Sequence, residues 1–206
     1  MWVKDAATGV GTLSFYIPKT GQFVALGHGI IDSDSESLIN IDYGEVTSTN
    51  IVSIVKGESG SPGEVKGTVN NDVLGTIYDN TDFGLFGEII NVENNNWKTM
   101  EIGLRNEIRE GEARILSNIE GNGVKEYTVN IEKIYLNDNE DNKSFVIRVI
   151  DQELINETGG IIRGLSGSPI IQNDKLIGVV TNVLVSNPRI GFGVFADLIL
   201  ENMNVY

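Results

Sequence analysis

Apolar and polar residues alternate in short runs along most of the chain, and glycine, proline, asparagine or aspartate closes each run. That period of two, broken every few residues by turn formers, predicts many short strands. Gly11 to Tyr16 and Phe23 to Leu26 form two such runs, joined by Pro18-Lys19-Thr20-Gly21, whose early proline and late glycine suit a hairpin. A short apolar piece follows near Ile30, and strands resume from Gly44 to Val55. From Gly67 to Val92 the pattern reads strand, turn, strand, with Val69-Asn70-Asn71-Asp72 and Tyr78-Asp79-Asn80-Thr81-Asp82 as polar turns. The polar tract Asn94-Asn95-Asn96 is the expected boundary between two halves, 1–96 and 97–206.

The second half opens with runs from Thr99 to Leu104 and Glu112 to Ile119. Tyr127-Thr128-Val129-Asn130-Ile131 keeps its apolar face on odd numbers, whereas Ile134 and Leu136 fall on even ones. A bulge near Glu132-Lys133 reconciles the two. Asn137 to Asn142 is a polar turn, and Phe145 to Ile150 returns as the partner strand. Pro169-Ile170-Ile171 and Leu176 to Val180 flank Gln172-Asn173-Asp174-Lys175 as a further hairpin, and Gly191 to Phe195 is another strand. Only the tail, Ala196 to Met203, spaces its apolar residues for a helix. The expected fold is all-β: two six-stranded barrels with a cleft between them and a C-terminal helix.

Composition narrows the function. A chain of 206 residues with 24 glycines and 40% hydrophobic residues suits one compact unit or two small halves. Fifteen basic residues against 29 acidic ones give a formal charge of −14. A surface that acidic repels phosphate backbones and anionic lipid, so it argues against nucleic-acid and membrane-surface roles. It keeps the chain soluble and would also suit a basic substrate segment. There is no cysteine, which excludes disulfides, a thiol nucleophile and Cys-ligated zinc. The acidic run Asp32 to Glu36 fails as a calcium loop, because its sixth position is Ser37 and its twelfth is Tyr43. Neither a metal nor another cofactor is expected. No apolar run is long enough to cross a membrane as a helix.

The chemistry gathers on Gly164-Leu165-Ser166-Gly167-Ser168-Pro169. A serine between glycines sits where the backbone can push a hydroxyl outward and aim N–H groups at one point. Acyl transfer needs that pairing of nucleophile and oxyanion donors. Serine also needs a base, and the single histidine, His28 in Leu26-Gly27-His28-Gly29-Ile30, is the one imidazole available. Gly57-Glu58-Ser59-Gly60-Ser61-Pro62-Gly63 repeats the Ser-Gly-Ser-Pro letters. Glu58 would oppose an oxyanion there, and no apolar strand follows Pro62, so Ser59 and Ser61 are not expected to react.

Trp2-Val3-Lys4-Asp5 with Gly9-Val10-Gly11-Thr12-Leu13 resembles the opening of the stage IV sporulation protein B peptidase domain. Ala25 to Ile30, Thr158-Gly159-Gly160-Ile161 and Gly164 to Asn173 resemble the same family, so the likeness runs from residue 2 to about 195. The resemblance implies a secreted chymotrypsin-like serine endopeptidase of endospore formers. It would cut a membrane-associated regulator of a sporulation protease, and often itself, in the space between mother-cell and forespore membranes. It also implies an N-terminal membrane anchor and a PDZ domain, neither of which is in this sequence, so Met1 is not expected to be the natural start. This fragment itself is expected to make no direct membrane contact.

Residue by residue, the resemblance makes Ser166 the nucleophile and His28 the general base. Its acid, fifteen residues before the serine, falls on Asp151. A chymotrypsin-like order would instead place the acid in the first half, where Asp82, Asp79 and Asp42 stand, with Asp82 preferred. By the same analogy the oxyanion donors are the N–H groups of Gly164 and Ser166, and Thr181-Asn182-Val183 is the edge that pairs with substrate. Gly160 occupies the position of a basic-selective aspartate, so strong Arg/Lys selection is not expected. Arg163, before the elbow, is expected to be solvated. The sequence also allows two other readings: a degenerate peptidase fold that binds peptides without cleaving them, and a structural β domain.

Overall fold

The computed structural model describes residues 7–90, 97–136 and 143–203. The expected boundary at Asn94–Asn96, the turn at Asn137–Asn142 and the opening Trp2–Asp5 lie outside the described residues. Twelve strands and two short helices are present among those described. The first sheet holds β1 (Leu13–Tyr16), β2 (Gln22–Ala25), β3 (Gly44–Val55), β4 (Glu64–Thr81) and β5 (Gly84–Ile89) in the order β1-β2-β5-β4-β3. The second holds β6 (Glu101–Ile102), β7 (Gly111–Ser117), β8 (Lys125–Ile134), β9 (Phe145–Val149), β10 (Pro169–Gln172), β11 (Lys175–Val183) and β12 (Ile190–Phe195). Its order β10-β7-β8-β9-β12-β11 is closed by a β10–β11 pairing, and β6 adds in parallel to β11.

The second half is therefore the closed six-stranded barrel that the alternation predicts. Inward residues on its strands, among them Ile115, Tyr127, Val129, Ile131, Phe145 and Ile147, are essentially inaccessible to water. The bulge expected near Glu132 is present as a register shift between Ile131 and Lys133. The Gln172–Lys175 hairpin turns through Asn173 and Asp174 at φ of 52° and 60°, a left-handed pair that asparagine and aspartate tolerate better than most residues.

The first half departs from expectation, being an open five-stranded sheet. Its buried core is small, built on Phe23, Ala25, Ile77 and Leu85. Ile51 and Ile54 of β3 pack instead against the core of the second half, so β3 stays a free edge rather than closing on β1. The polar residues Asn70-Asn71-Asp72 make no turn. They lie inside the 18-residue β4, where Thr47 pairs with Val73 and Thr49 with Val69, so the extra residues form a bulge.

Both helices serve the junctions. α1 (Gln152–Thr158) is too short to show an apolar period, and sequence periodicity misses it. α2 (Ala196–Asn202) places Ile199, Leu200 and the following Met203 in a cluster with Val24 and Phe86 of the first sheet and Val179 and Val194 of the barrel. It thus ties the two sheets together. Arg105 holds it, donating from its backbone N and Nε to Asp197 Oδ2 at 3.1 and 3.0 Å and from Nη2 to Glu201. The Asp197 side chain is only 8% exposed. Arg105→Ala leaves that carboxylate short of a partner and is expected to cost about 1–3 kcal/mol in urea unfolding.

Candidate active site

Ser166 lies in the loop between α1 and β10, and its side chain is half-buried. His28 follows β2, just after two left-handed residues, Leu26 at φ 73° and Gly27 at φ 69°. A leucine in that conformation is costly and is held only because its surroundings dictate it. Leu26 N donates to Thr12 O, and the Gly29–Ile30 stretch is clamped by the buried Asn80. Asn80 Oδ1 accepts from Ile30 N at 2.8 Å, while its Nδ2 donates to the carbonyls of Ile30 and Ile39.

The two loops meet at the end of β11. A Cβ on Gly27 would come within 3.1 Å of Val180 O and 3.5 Å of Thr181 Cγ2. Thr181 O accepts the Ser166 hydroxyl at 2.8 Å. His28 Nδ1 lies 3.0 Å from Gly29 O, and no hydrogen bond joins it to Ser166 among the described residues. Thr181 and Val180 are thus the meeting point of the serine loop and the histidine loop.

The turn around Ser166 is fixed peptide by peptide. Arg163 O accepts from Val65 N, Gly164 O from Thr12 Oγ1, Leu165 O from Ser168 N and Ser166 O from Thr12 N, all within 3.1 Å. Among the described residues the N–H groups of Gly164 and Ser166, the expected oxyanion donors, have no protein acceptor. Gly164 adopts φ 104°, and a Cβ there would lie 2.9 Å from Val65 Cβ. Only glycine fits. Arg163 itself is exposed, as expected of a solvated side chain.

Asp151 is placed differently from the other site residues. It is the N-cap of α1: Oδ1 accepts from Leu154 N at 3.0 Å and Oδ2 from Thr128 N at 3.2 Å. Among the described residues, no hydrogen bond or ion pair joins it to His28. Asp42, Asp79 and Asp82 are exposed, and Asp82 stands in the β4–β5 turn beside Thr81. The carbonyl of Thr81 would lie 2.7 Å from a Cβ on Gly29. Thr181, Asn182 and Val183 form the C-terminal end of β11, Thr181 buried and Asn182 exposed. Sequence reasoning missed Thr12, Asn80 and Val65. They act through the backbone or as clamps, and only the spacing of turn residues hints at them.

Residues 1–200 match the family described as SpoIVB peptidase S55. No curated protein matches the chain. Among solved structures, the active form of the Rv3671c protease from M. tuberculosis is similar at 13% identity, over 95% of this chain and 76% of that one, with a TM-score of 0.48. Its inactive form is similar at 14% identity over 75% and 89%, with a TM-score of 0.45. The HtrA-type protease AlgW, solved with a decapeptide, is similar at 19% identity over 69% and 42%, with a TM-score of 0.44.

Proposed function

Since this chain belongs to the SpoIVB peptidase S55 family and is a serine endopeptidase, we propose that Ser166 is its nucleophile and His28 its general base. The observation that carries the reading is the convergence of their two loops, one from each half, on Val180 and Thr181. In the reacting enzyme Ser166 Oγ leaves the Thr181 carbonyl, gives its proton to His28 and attacks the scissile carbonyl carbon. The oxyanion so formed lies against the N–H groups of Gly164 and Ser166, which have no acceptor among the described residues. The imidazolium then protonates the leaving amine, and water attacking with the help of His28 frees the acyl group. An extended substrate pairs with the Thr181–Val183 end of β11.

The finer reading is a regulatory cut in sporulation signalling, made on a membrane-associated regulator outside the cytoplasm, with self-cleavage alongside. The family's name supports the link to sporulation; the regulator and the self-cleavage follow from the resemblance set out above. No helix among the described residues is long and apolar enough to cross a membrane. A fluorophosphonate probe tests the core of the proposal, because only an activated serine is labelled. One adduct per chain at Ser166, found by peptide mass spectrometry, is expected. An unlabelled, inactive protein that still binds peptides would favour the non-cleaving alternative. Mass spectrometry of the protein incubated alone tests self-cleavage.

A further inference from the structure

The serine-rich string at 57–63, which repeats the letters of the elbow, does something other than catalysis. It runs along the second half beside the segment that leads into Ser166. Gly57 N donates to Thr158 O, Gly60 N to Val185 O and Ser59 Oγ to Ser186 O, at 2.8 to 2.9 Å. Lys56 Nζ donates to Asn156 O. A Cβ on Gly159 would sit 2.2 Å from Gly57 O, so the two backbones touch. The string ends in a short parallel bridge between Glu64 and Arg163. There Arg163 N donates to Gly63 O and Val65 N donates to Arg163 O, both at 2.9 Å.

The last of these bonds bears on the chemistry. The carbonyl of Arg163 and the N–H of Gly164 belong to one planar trans peptide, so they point in opposite directions. Holding the carbonyl toward β4 turns the Gly164 N–H away from β4, free of any acceptor among the described residues. Without that hold, the glycine at φ 104° leaves the peptide free to rotate, and the donor can leave its place.

We propose that the Gly63–Val65 segment of the first half is the positioning element of the oxyanion hole, acting through the Val65 N–H on the Arg163–Gly164 peptide. The proposal rests on the assignment of Ser166 and of the Gly164 donor made above. It gives the first half a second task besides carrying His28. The side chain of Val65 points into the barrel core, so its backbone position is itself anchored in the half it serves.

Two variants remove the N–H at residue 65. One is Val65→Pro. The other is an amide-to-ester exchange at Val65 made by semisynthesis, which keeps the side chain and decides the matter if the proline variant does not fold. Because the Val65 N–H is spent on Arg163 and not on β3, neither change removes a β3–β4 hydrogen bond. Loss of one oxyanion donor is expected to lower kcat about 10²-fold or more with KM within about threefold. Affinity for a peptide boronate, which forms the tetrahedral adduct, should fall in parallel, while affinity for a non-covalent product peptide stays. An ester variant with wild-type kcat overturns the proposal, as does a fall spread equally over kcat, KM and product affinity. If the wild-type enzyme takes no fluorophosphonate label, it is the assignment of Ser166 that fails instead.

Discussion

Ser166→Ala and His28→Ala are each expected to lower kcat about 10³-fold or more while leaving the fold intact. Serine alone is too weak an acid to attack an amide near neutral pH, and the one imidazole in the chain is on the loop that meets the serine loop at Thr181. Members of such a unit act together, so the double variant should be little worse than either single one. Stability should hardly move, because both side chains are half-buried and each makes one hydrogen bond to a carbonyl. Ser61→Ala, in the other Ser-Gly-Ser-Pro string, should be indistinguishable from wild type, its side chain being exposed. A Ser166→Ala enzyme that still cleaves while Ser61→Ala does not would reverse the assignment. Steady-state kinetics on a peptide substrate, with circular dichroism to check the fold, settles it.

The barrel was legible because its strands are half-buried in strict alternation, and Tyr127 to Ile131 shows how little else is needed. Each odd residue there is buried at or below 1% exposure, so period two and burial coincide. The first sheet was less legible because it borrows its core. The run from Gly44 to Val55 reads from sequence as a strand of the first half, yet its Ile51 and Ile54 lie against residues of the other half. Asn70-Asn71-Asp72 misleads for a related reason. Polar residues on an exposed hairpin cost nothing inside a strand, so their composition does not distinguish a bulge from a turn. α1 carries its signal in its ends, the Asp151 cap and Gly159 at φ 78°, and has no readable period between them. For the site, residue type is what points to Ser166 and His28. The residues that hold them are harder to read: Val65 and Thr12 use main-chain groups that any sequence of similar shape could supply, and the side chains of Thr12 and Asn80 bond to distant main-chain atoms that only the fold brings near.

Asp151→Asn and Asp82→Asn, assayed side by side at one pH, are expected to separate a structural carboxylate from an orienting one. Spacing within the family points to Asp151 as the acid behind His28, but its two oxygens are taken by Leu154 N and Thr128 N. Asparagine caps a helix as well as aspartate does, so the Leu154 bond survives. The amide nitrogen of the new side chain would then face the Thr128 N–H, donor against donor. The cost should be about 1 kcal/mol in urea unfolding, with turnover within a few fold of wild type. Asp82 stands in the turn whose Thr81 carbonyl adjoins Gly29, next to His28, on the same half of the molecule. Removing an acid that fixes the imidazole tautomer costs about 10⁴-fold in the best-studied triad. The larger loss of turnover is expected at Asp82, on the expectation that its side chain replaces Gly29 O as the partner of His28 Nδ1 in the working enzyme, and with it goes the downfield proton resonance that a carboxylate-bound imidazole shows. A loss of about 10⁴-fold at Asp151→Asn, with stability unchanged, would instead mean that α1 gives up its cap in the working enzyme and that Asp151 moves to His28.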